Sequence, residues 1–209
     1  TPVPMGVEIT AIPFHGYNSL FNKNKKKIVY LGTLLRVRRL DFLVRVLHLV
    51  RRSGLDAELE FIGGGDHSDL EILLLEAKRL KIEHYIRITG FLPKEEAWNH
   101  VRDAHLCLSP FYPTPILNST SPTKLVEYLA MGKAVVANDH PEQRDILKKS
   151  QAGLCVEWDE EAFFKAIEFI LKNPEIATEM GTRGRKFVEK YRSYRVIADT
   201  VEKKLIEIN

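Results

Sequence analysis

The sequence has 209 residues, 44% hydrophobic and 28% charged, a composition that excludes a disordered or collagen-like chain. No apolar run approaches the ~18–20 residues of a membrane span, and the length fits one domain, or one domain with an arm, at about 100–200 residues per domain. Thirty-one basic against 28 acidic residues leave a net charge of +3. That balance does not point to nucleic acid, but it leaves room for local basic sites that take a phosphorylated small molecule.

The opening, Thr1-Pro2-Val3-Pro4-Met5, lacks a basic stretch followed by an apolar core, so it does not read as a signal peptide. Without an initiator Met, it reads as a cut inside a longer chain. Residues 1–26 carry Pro, Gly, Asn and the lysines Lys23, Lys25 and Lys26, followed by Lys27. They read as an interdomain linker or arm whose lysines are solvated, with a membrane or partner contact as the alternative. The folded domain is expected over 27–209.

Ile28-Val29-Tyr30-Leu31, closed by Gly32, predicts a buried strand. Leu40, Leu43, Val44, Leu47 and Val50 then recur at helical spacing, and Arg51-Arg52 with Gly54 predict the helix end. Leu59 to Ile62 before Gly63-Gly64-Gly65 is a second strand, and Leu70, Leu73, Leu74, Ala77 and Leu80 a second helix. Tyr85 to Ile88, ended by Gly90, is a third strand. Pro93 opens a helix to about Val101, and Leu106-Cys107-Leu108 is a fourth strand. A long Pro/Ser/Thr loop runs from Ser109 to Ser121. A helix over Pro122–Met131, a strand over Ala134–Ala137, a helix opened by Pro141 and a short strand over Leu154–Val156 follow. The chain from Glu160 onward is helical by pattern.

This alternation predicts an α/β fold: a Rossmann-like parallel sheet with helices on both faces and right-handed crossovers. Ligands of such sheets bind at the carboxyl ends of strands, near a switch in strand order. The loops after strands therefore matter most: 32–39, 63–68, 90–93, 109–121 and 138–141.

Cys107 and Cys155 both lie in short apolar runs without CxxC spacing and read as buried thiols of a reducing compartment. No GxxxxGK[ST], GxSxG or HExxH motif is present. The histidines (His15, His48, His67, His84, His100, His105 and His140) show no metal spacing and read as structural or exposed. Gly63-Gly64-Gly65-Asp66 permits close backbone approach but is not a full GxGxxG. Asp66, His67 and Asp69 are explained by a turn followed by a helix cap.

The most informative segment runs from Ser119 to Ala137. Ser121 suits a helix N-cap, Pro122 the first helical position and Gly132 the C-terminal stop. A helix N-terminus after a loop favours an anion, and Lys124 adds a full charge in its first turn. Glu127, one turn deeper, can accept two hydrogen bonds from a diol. A phosphate site beside a diol site describes a nucleotide; the alternative is a Lys124–Glu127 surface pair on an ordinary helix. Arg36, Arg38 and Arg39 follow the first strand and offer forks for a diphosphate. The alternative there is a solvated helix start, weakened because cations oppose the dipole at that end.

Taken together, these residues resemble the carboxyl-terminal, donor-binding domain of family 4 retaining glycosyltransferases, one half of a GT-B fold. The resemblance covers nearly the whole chain. It runs through Pro4-Met5-Gly6-Val7-Glu8 with Phe14, Tyr30-Leu31-Gly32 with Arg38, Phe61-Ile62-Gly63-Gly64-Gly65, Gly90-Phe91-Leu92, Ser121 to Ala137, Pro141-Glu142-Gln143 and Ala152-Gly153-Leu154. It implies that Gly32, Thr33, Arg38, Phe91, Leu92, Ser119, Thr120, Ser121, Thr123, Lys124, Leu125 and Glu127 bind the nucleotide sugar. Phe91 and Leu92 would lie beside the base and Glu127 on the ribose. Arg38 and Lys124 would be catalytic, stabilising the departing diphosphate without a metal.

Two departures stand out. The family pairs two glutamates separated by seven residues, and the first position is Ser119 here; no Asp or Glu lies between Asp103 and Glu127. That leaves Asn118, Ser119, Thr120 and loop amides to meet the sugar. Arg38 stands where the family often has Lys, and Thr33 where it often has Arg, a loss that Arg36 could offset.

The resemblance implies a missing amino-terminal domain that binds a glycan or lipid-linked acceptor. Sugar would be transferred with retention from a nucleotide diphosphate, UDP by family frequency, in polysaccharide biosynthesis. No cofactor and no nucleic-acid partner is expected. The location would be cytoplasmic, with peripheral attachment at the inner face of the membrane as a variant. The 209-residue chain alone should bind donor weakly and catalyse little. The rival readings are another GT-B enzyme, an epimerase or a pyridoxal-phosphate-dependent phosphorylase, or a non-catalytic nucleotide-binding module.

Overall fold

Each apolar run that was read as a strand enters one parallel sheet, and the helices between them cover it. The computed structural model describes residues 3–12, 14 and 25–208. Thr1, Pro2, His15 and Lys23, named above for the opening, the histidines and the lysine run, lie outside the described residues.

The strands are β1 (Lys26–Leu31), β2 (Ala57–Ile62), β3 (Ile86–Ile88), β4 (Leu106–Ser109), β5 (Val135–Asn138) and β6 (Gly153–Val156). They pair in parallel in the order β3-β2-β1-β4-β5-β6. The chain thus builds outward from β1 to one edge, then returns to β1 and builds toward the other. The reversal between β1 and β4 is the crevice where open α/β sheets take ligands.

The helices are α1 (Asp41–Arg52), α2 (His67–Arg79), α3 (Lys94–Arg102), α4 (Pro115–Asn118), α5 (Thr123–Ala130), α6 (Pro141–Ser150), α7 (Glu160–Lys172), α8 (Pro174–Tyr191) and α9 (Tyr194–Ile208). The loop predicted over 109–121 therefore contains one helical turn, α4, capped by Thr114, whose Oγ1 accepts from Leu117 N–H. The uninterrupted helical pattern after Glu160 breaks twice, at Asn173-Pro174 and at Arg192-Ser193. Proline cannot continue the helix of the preceding residues, which accounts for the first break.

Successive residues of a strand face opposite sides, so β1 feeds two cores. Ile28 and Tyr30 join Leu43, Leu47, Phe61, Phe163 and Ile167 under α1 and α7. Val29 joins Trp98, Val101, Cys107, Leu125, Leu129 and Ile146 under α3, α5 and α6. All of these are at most 4% exposed, and full burial of such an aliphatic or aromatic side chain is worth about 1.5–3 kcal/mol.

Cys107 is buried as expected, but Cys155 is only half-buried. It lies on β6, which pairs on one side alone among the described strands, and an outermost strand is screened less completely than a central one.

The amino-terminal segment docks on the carboxyl-terminal helices. Val7 bridges Ser193, giving its N–H to Arg192 O at 2.9 Å and accepting from Tyr194 N–H at 3.0 Å. Val7 and Ile12 are buried in the second core.

Candidate functional site

Three loops converge at the β1/β4 reversal, each supplied by a local sequence feature. Behind β1, Gly32 adopts φ +146°, a backbone region that favours glycine. A side-chain carbon there would stand 3.2 Å from Tyr30 Oη and 3.3 Å from Lys124 Cε. Behind β2, Gly63 adopts φ +139°, and a carbon there would stand 2.1 Å from Gly32 O. Glycines thus let two strand ends approach until backbone meets backbone. Gly32 N–H donates to Ile62 O at 2.9 Å, and Leu34 N–H to Gly64 O at 2.9 Å. The floor is further pinned by Tyr128 of α5, whose hydroxyl accepts from Leu31 N–H at 2.6 Å.

Above this floor starts α5. Its beginning differs from the expected cap. Ser121 does not cap it, and Pro122 is not its first residue: Pro122 occupies the N-cap position with no side-chain cap bond, and the helix begins at Thr123. Ser121 Oγ instead donates to Glu142 Oε2 at 2.9 Å. With no capping side chain, the backbone N–H groups of Ser121 and Lys124 have no acceptor among the described residues. These orphan donors are what an anion would meet. The helix stops as read, with Gly132 at φ +70° beyond Met131.

Lys124 is not a surface residue. It is 9% exposed, and its Nζ lies 5.0 Å from the centre of the Tyr30 ring and 4.9 Å from that of Phe111. It forms no ion pair with Glu127, so the alternative of an ordinary surface pair is overturned; burial between two aromatic faces replaces it. Burial first, then the nearby Arg38 charge, push its pKa down to about 7, with Glu127 opposing.

Arg38 is the last residue of a short 3-10 turn over Arg36–Arg38, and its Nε is buried without a hydrogen-bond partner. A buried guanidinium nitrogen left unpaired is costly, and a ligand oxygen would satisfy it. The alternative of a solvated helix start fails for Arg38, because the helix begins only at Asp41. The neighbouring arginines point elsewhere. Arg36 is exposed and lines a separate cleft with Leu34, Asp69 and Ile72, and Arg36 N–H donates to Asp69 Oδ1 at 2.9 Å. Arg39 ion-pairs with Asp41 at 3.4 Å.

Glu127 is half-buried one turn into α5, and its carboxylate makes no hydrogen bond or ion pair among the described residues. Burial raises its pKa, against the pull of Lys94 and Lys124. Lys94 opens α3 directly after the Gly90–Pro93 loop. In that loop Phe91 is 76% exposed, and its ring lies over Gly64, where an added carbon would be 2.8 Å away. Leu92 is half-buried at the edge of the second core.

The remaining residues named from the sequence hold more local positions. Thr33 and Thr123 are exposed, and Thr33 O accepts from Tyr30 Oη at 3.3 Å. Leu125 has its side chain in the core. Ser119 Oγ and Thr120 Oγ1 donate to Ile116 O and Leu117 O, both at 2.7 Å, so their protons are committed within their own loop.

Tyr30, Phe111, Tyr128 and Lys94 were not anticipated as site residues. The parity of β1 could have placed Tyr30 on the same face as Ile28, but nothing local says that Phe111 crosses to meet Lys124.

A floor of glycines, an uncapped helix start and two unpaired cations thus stand together at the sheet's reversal. The family described as glycosyl transferases group 1 matches residues 15–187. The chain belongs to this family. A curated relative, an uncharacterized glycosyltransferase of Haemophilus influenzae, is 26% identical over 190 residues, covering 87% of this chain and 51% of the relative. The group 1 chain therefore spans about half the length of that relative. Among solved structures, sucrose-phosphate synthase from Thermosynechococcus elongatus superposes with TM-score 0.80 at 20% identity, over 99% of this chain and 52% of that one. Anabaena HepE, solved with UDP and glucose, superposes with TM-score 0.73 at 13% identity, over 87% and 48%. These likenesses show that the group 1 chain has the Rossmann-like α/β fold of GT-B glycosyltransferases.

Proposed function

We propose that this chain is the carboxyl-terminal, donor-binding half of a family 4 retaining glycosyltransferase, and that the β1/β4 crevice binds a nucleotide-diphosphate sugar. The carrying observation is the pair Arg38 and Lys124: two cations near each other, one with a buried nitrogen unpaired and one buried without a hydrogen bond. Like charges brought together in a low-dielectric site repel unless an anion joins them. A diphosphate supplies that anion, taking the free N–H groups of Ser121 and Lys124 as well.

Glu127, one turn deeper and without a partner, accepts the ribose hydroxyls. Phe91, exposed over Gly64, offers a face to the base. UDP is the nucleotide we favour, because the HepE structure holds UDP and the family uses it often. The departing diphosphate gathers negative charge, and Arg38, Lys124 and the α5 amino terminus stabilise it more than they stabilise the bound donor. No metal is required for that step in this reading. Ser119 brings no carboxylate to the sugar, so loop amides and the hydroxyl oxygens of Ser119 and Thr120 orient it. A second domain would bind a glycan or lipid-linked acceptor, at the cytoplasmic side and, for a lipid-linked acceptor, at the membrane face. No helix among the described residues is long and apolar enough to cross a membrane.

The test is calorimetric titration of the chain with UDP, GDP and ADP, repeated on Glu127→Ala and Lys124→Met. Saturable binding of one nucleotide, weakened in both variants, is expected. Binding that neither variant alters would place the nucleotide elsewhere and refute the assignment.

A further inference from the structure

The loop over 109–121, which carries Phe111 to Lys124 and Ser121 to the start of α5, is gripped at four points by the corner between β5 and α6. Asn138 Oδ1 accepts from Phe111 N–H at 2.6 Å while its Nδ2 donates to Phe111 O at 2.8 Å. Gln143 Oε1 accepts from Ser109 Oγ at 2.5 Å. His140 Nε2 meets Leu117 O at 3.2 Å. These three side chains are neutral amides or an imidazole, and at most 1% exposed. They form a closed polar network of the kind that holds one backbone arrangement.

The fourth grip differs. Glu142 accepts from Ser121 Oγ with Oε2 at 2.9 Å, and its Oε1 pairs with Arg192 Nη1 at 2.8 Å. The same Arg192 nitrogen donates to Met5 O at 3.1 Å. Arg192 lies at the break between α8 and α9, where Val7 bridges Ser193. A charged chain of contacts therefore runs from the amino-terminal segment, through the α8–α9 break, to Ser121, which carries one of the two orphan N–H groups at the start of α5.

We propose that Glu142, held by Arg192, is a positioning residue of the nucleotide site: it fixes Ser121 and thereby aims the free N–H groups of Ser121 and Lys124. The proposal rests on the donor-site reading above, since those N–H groups are its phosphate donors. It follows from the geometry that the amino-terminal segment and the α8–α9 break bear on nucleotide affinity although neither touches the crevice. Arg192 has a second effect. It neutralises a carboxylate that would otherwise stand as an uncompensated anion one side chain away from a diphosphate site.

The experiment uses Glu142→Ala, Ser121→Ala, their double variant, Arg192→Met and the milder Glu142→Gln, each read by UDP titration, melting temperature and amide hydrogen exchange over residues 116–126. Glu142→Ala and Ser121→Ala are each expected to weaken UDP about fivefold, the double variant no further than either, because the two side chains act as one unit. Exchange at 121–125 should quicken in both, and Glu142→Gln, which keeps an acceptor for Ser121, should recover most of the loss. Multiplying losses in the double variant, or a lower melting temperature with UDP affinity and exchange at 121–125 unchanged, overturns the positioning role.

Lys124→Met separates the two readings. It should abolish most UDP binding without quickening exchange at 121–125. If UDP binds and Lys124→Met leaves it intact, the donor-site reading fails. If UDP does not bind the chain at all, exchange decides alone: unchanged rates in Glu142→Ala overturn the relay.

Discussion

Helix α5 has a lysine at each end, and the two live differently. Lys133, just past the Gly132 stop, donates through Nζ to Arg102 O at 2.5 Å and Ala104 O at 2.9 Å. It closes the end of α3, where carbonyls lack partners and a cation suits the dipole. Lys124, in the first turn, has aromatic faces around it but no hydrogen bond. It sits where the dipole disfavours a cation and beside the charge of Arg38. Burial lowers both, Lys133 to about 8 and Lys124 to about 7. Their shared desolvation thus says nothing about role. What separates them is satisfaction: one charge is used by the fold, and the other has no hydrogen-bond or ion-pair partner among the described residues.

The largest expected effect lies at the structural end. Lys133→Met should cost about 1.5–3 kcal/mol of stability by urea unfolding, the range for hydrogen bonds to a charged group, and leave nucleotide affinity unchanged. A loss of UDP binding in that variant would erase the contrast.

At the other end, Lys124→Met should weaken UDP about 10–30-fold by calorimetry, the loss of one charge-assisted phosphate contact. Its melting temperature should hold or rise, because an uncompensated buried charge has been removed.

The pH dependence sharpens the contrast. An unfolded lysine titrates near 10.4 and the folded Lys124 near 7, so between those values the unfolded chain holds more protons. Stability from this group therefore rises with pH across that window. Nucleotide affinity moves the opposite way, since the phosphate requires the protonated amine. From pH 7.5 to 8.5 the protonated fraction of a group with pKa 7 falls about eightfold, and UDP affinity should fall by about as much. Lys124→Met should flatten both trends; a UDP profile unchanged in that variant would assign the titration to another group.

The smallest effect is at Glu127. Glu127→Ala should weaken UDP about fivefold through lost ribose hydrogen bonds. It should weaken the deoxyribose analogue less, which a parallel titration measures.

Much of the fold was legible because its signals are local. Gly32, Gly63, Gly90 and Gly132 close or terminate elements at positive φ, and a glycine announces that freedom in the sequence itself. Helical spacing in Leu43, Leu47 and Val50 located a buried face that the first core confirms. The start of α5 was misread for a physical reason: Ser-Pro has the composition of a cap, but Ser121 found a stronger partner in Glu142, 21 residues away. Cys155 was misread because apolar neighbours reveal a strand and not how many sides of it are covered.

What the sequence by itself determined is the alternation of strands and helices, hence the parallel α/β class; it also singled out Arg38, Lys124 and Glu127, the residues proposed for the nucleotide. Tertiary structure alone decided that β4 pairs beside β1, which brings the loops behind them to one crevice, encloses Lys124 between Tyr30 and Phe111 and ties Ser121 to Glu142 and Arg192. Periodicity and turn chemistry act over a few residues, whereas strand order and the partner of a buried charge depend on contacts between segments far apart in the chain, where the lowest free energy is set by the whole packing arrangement.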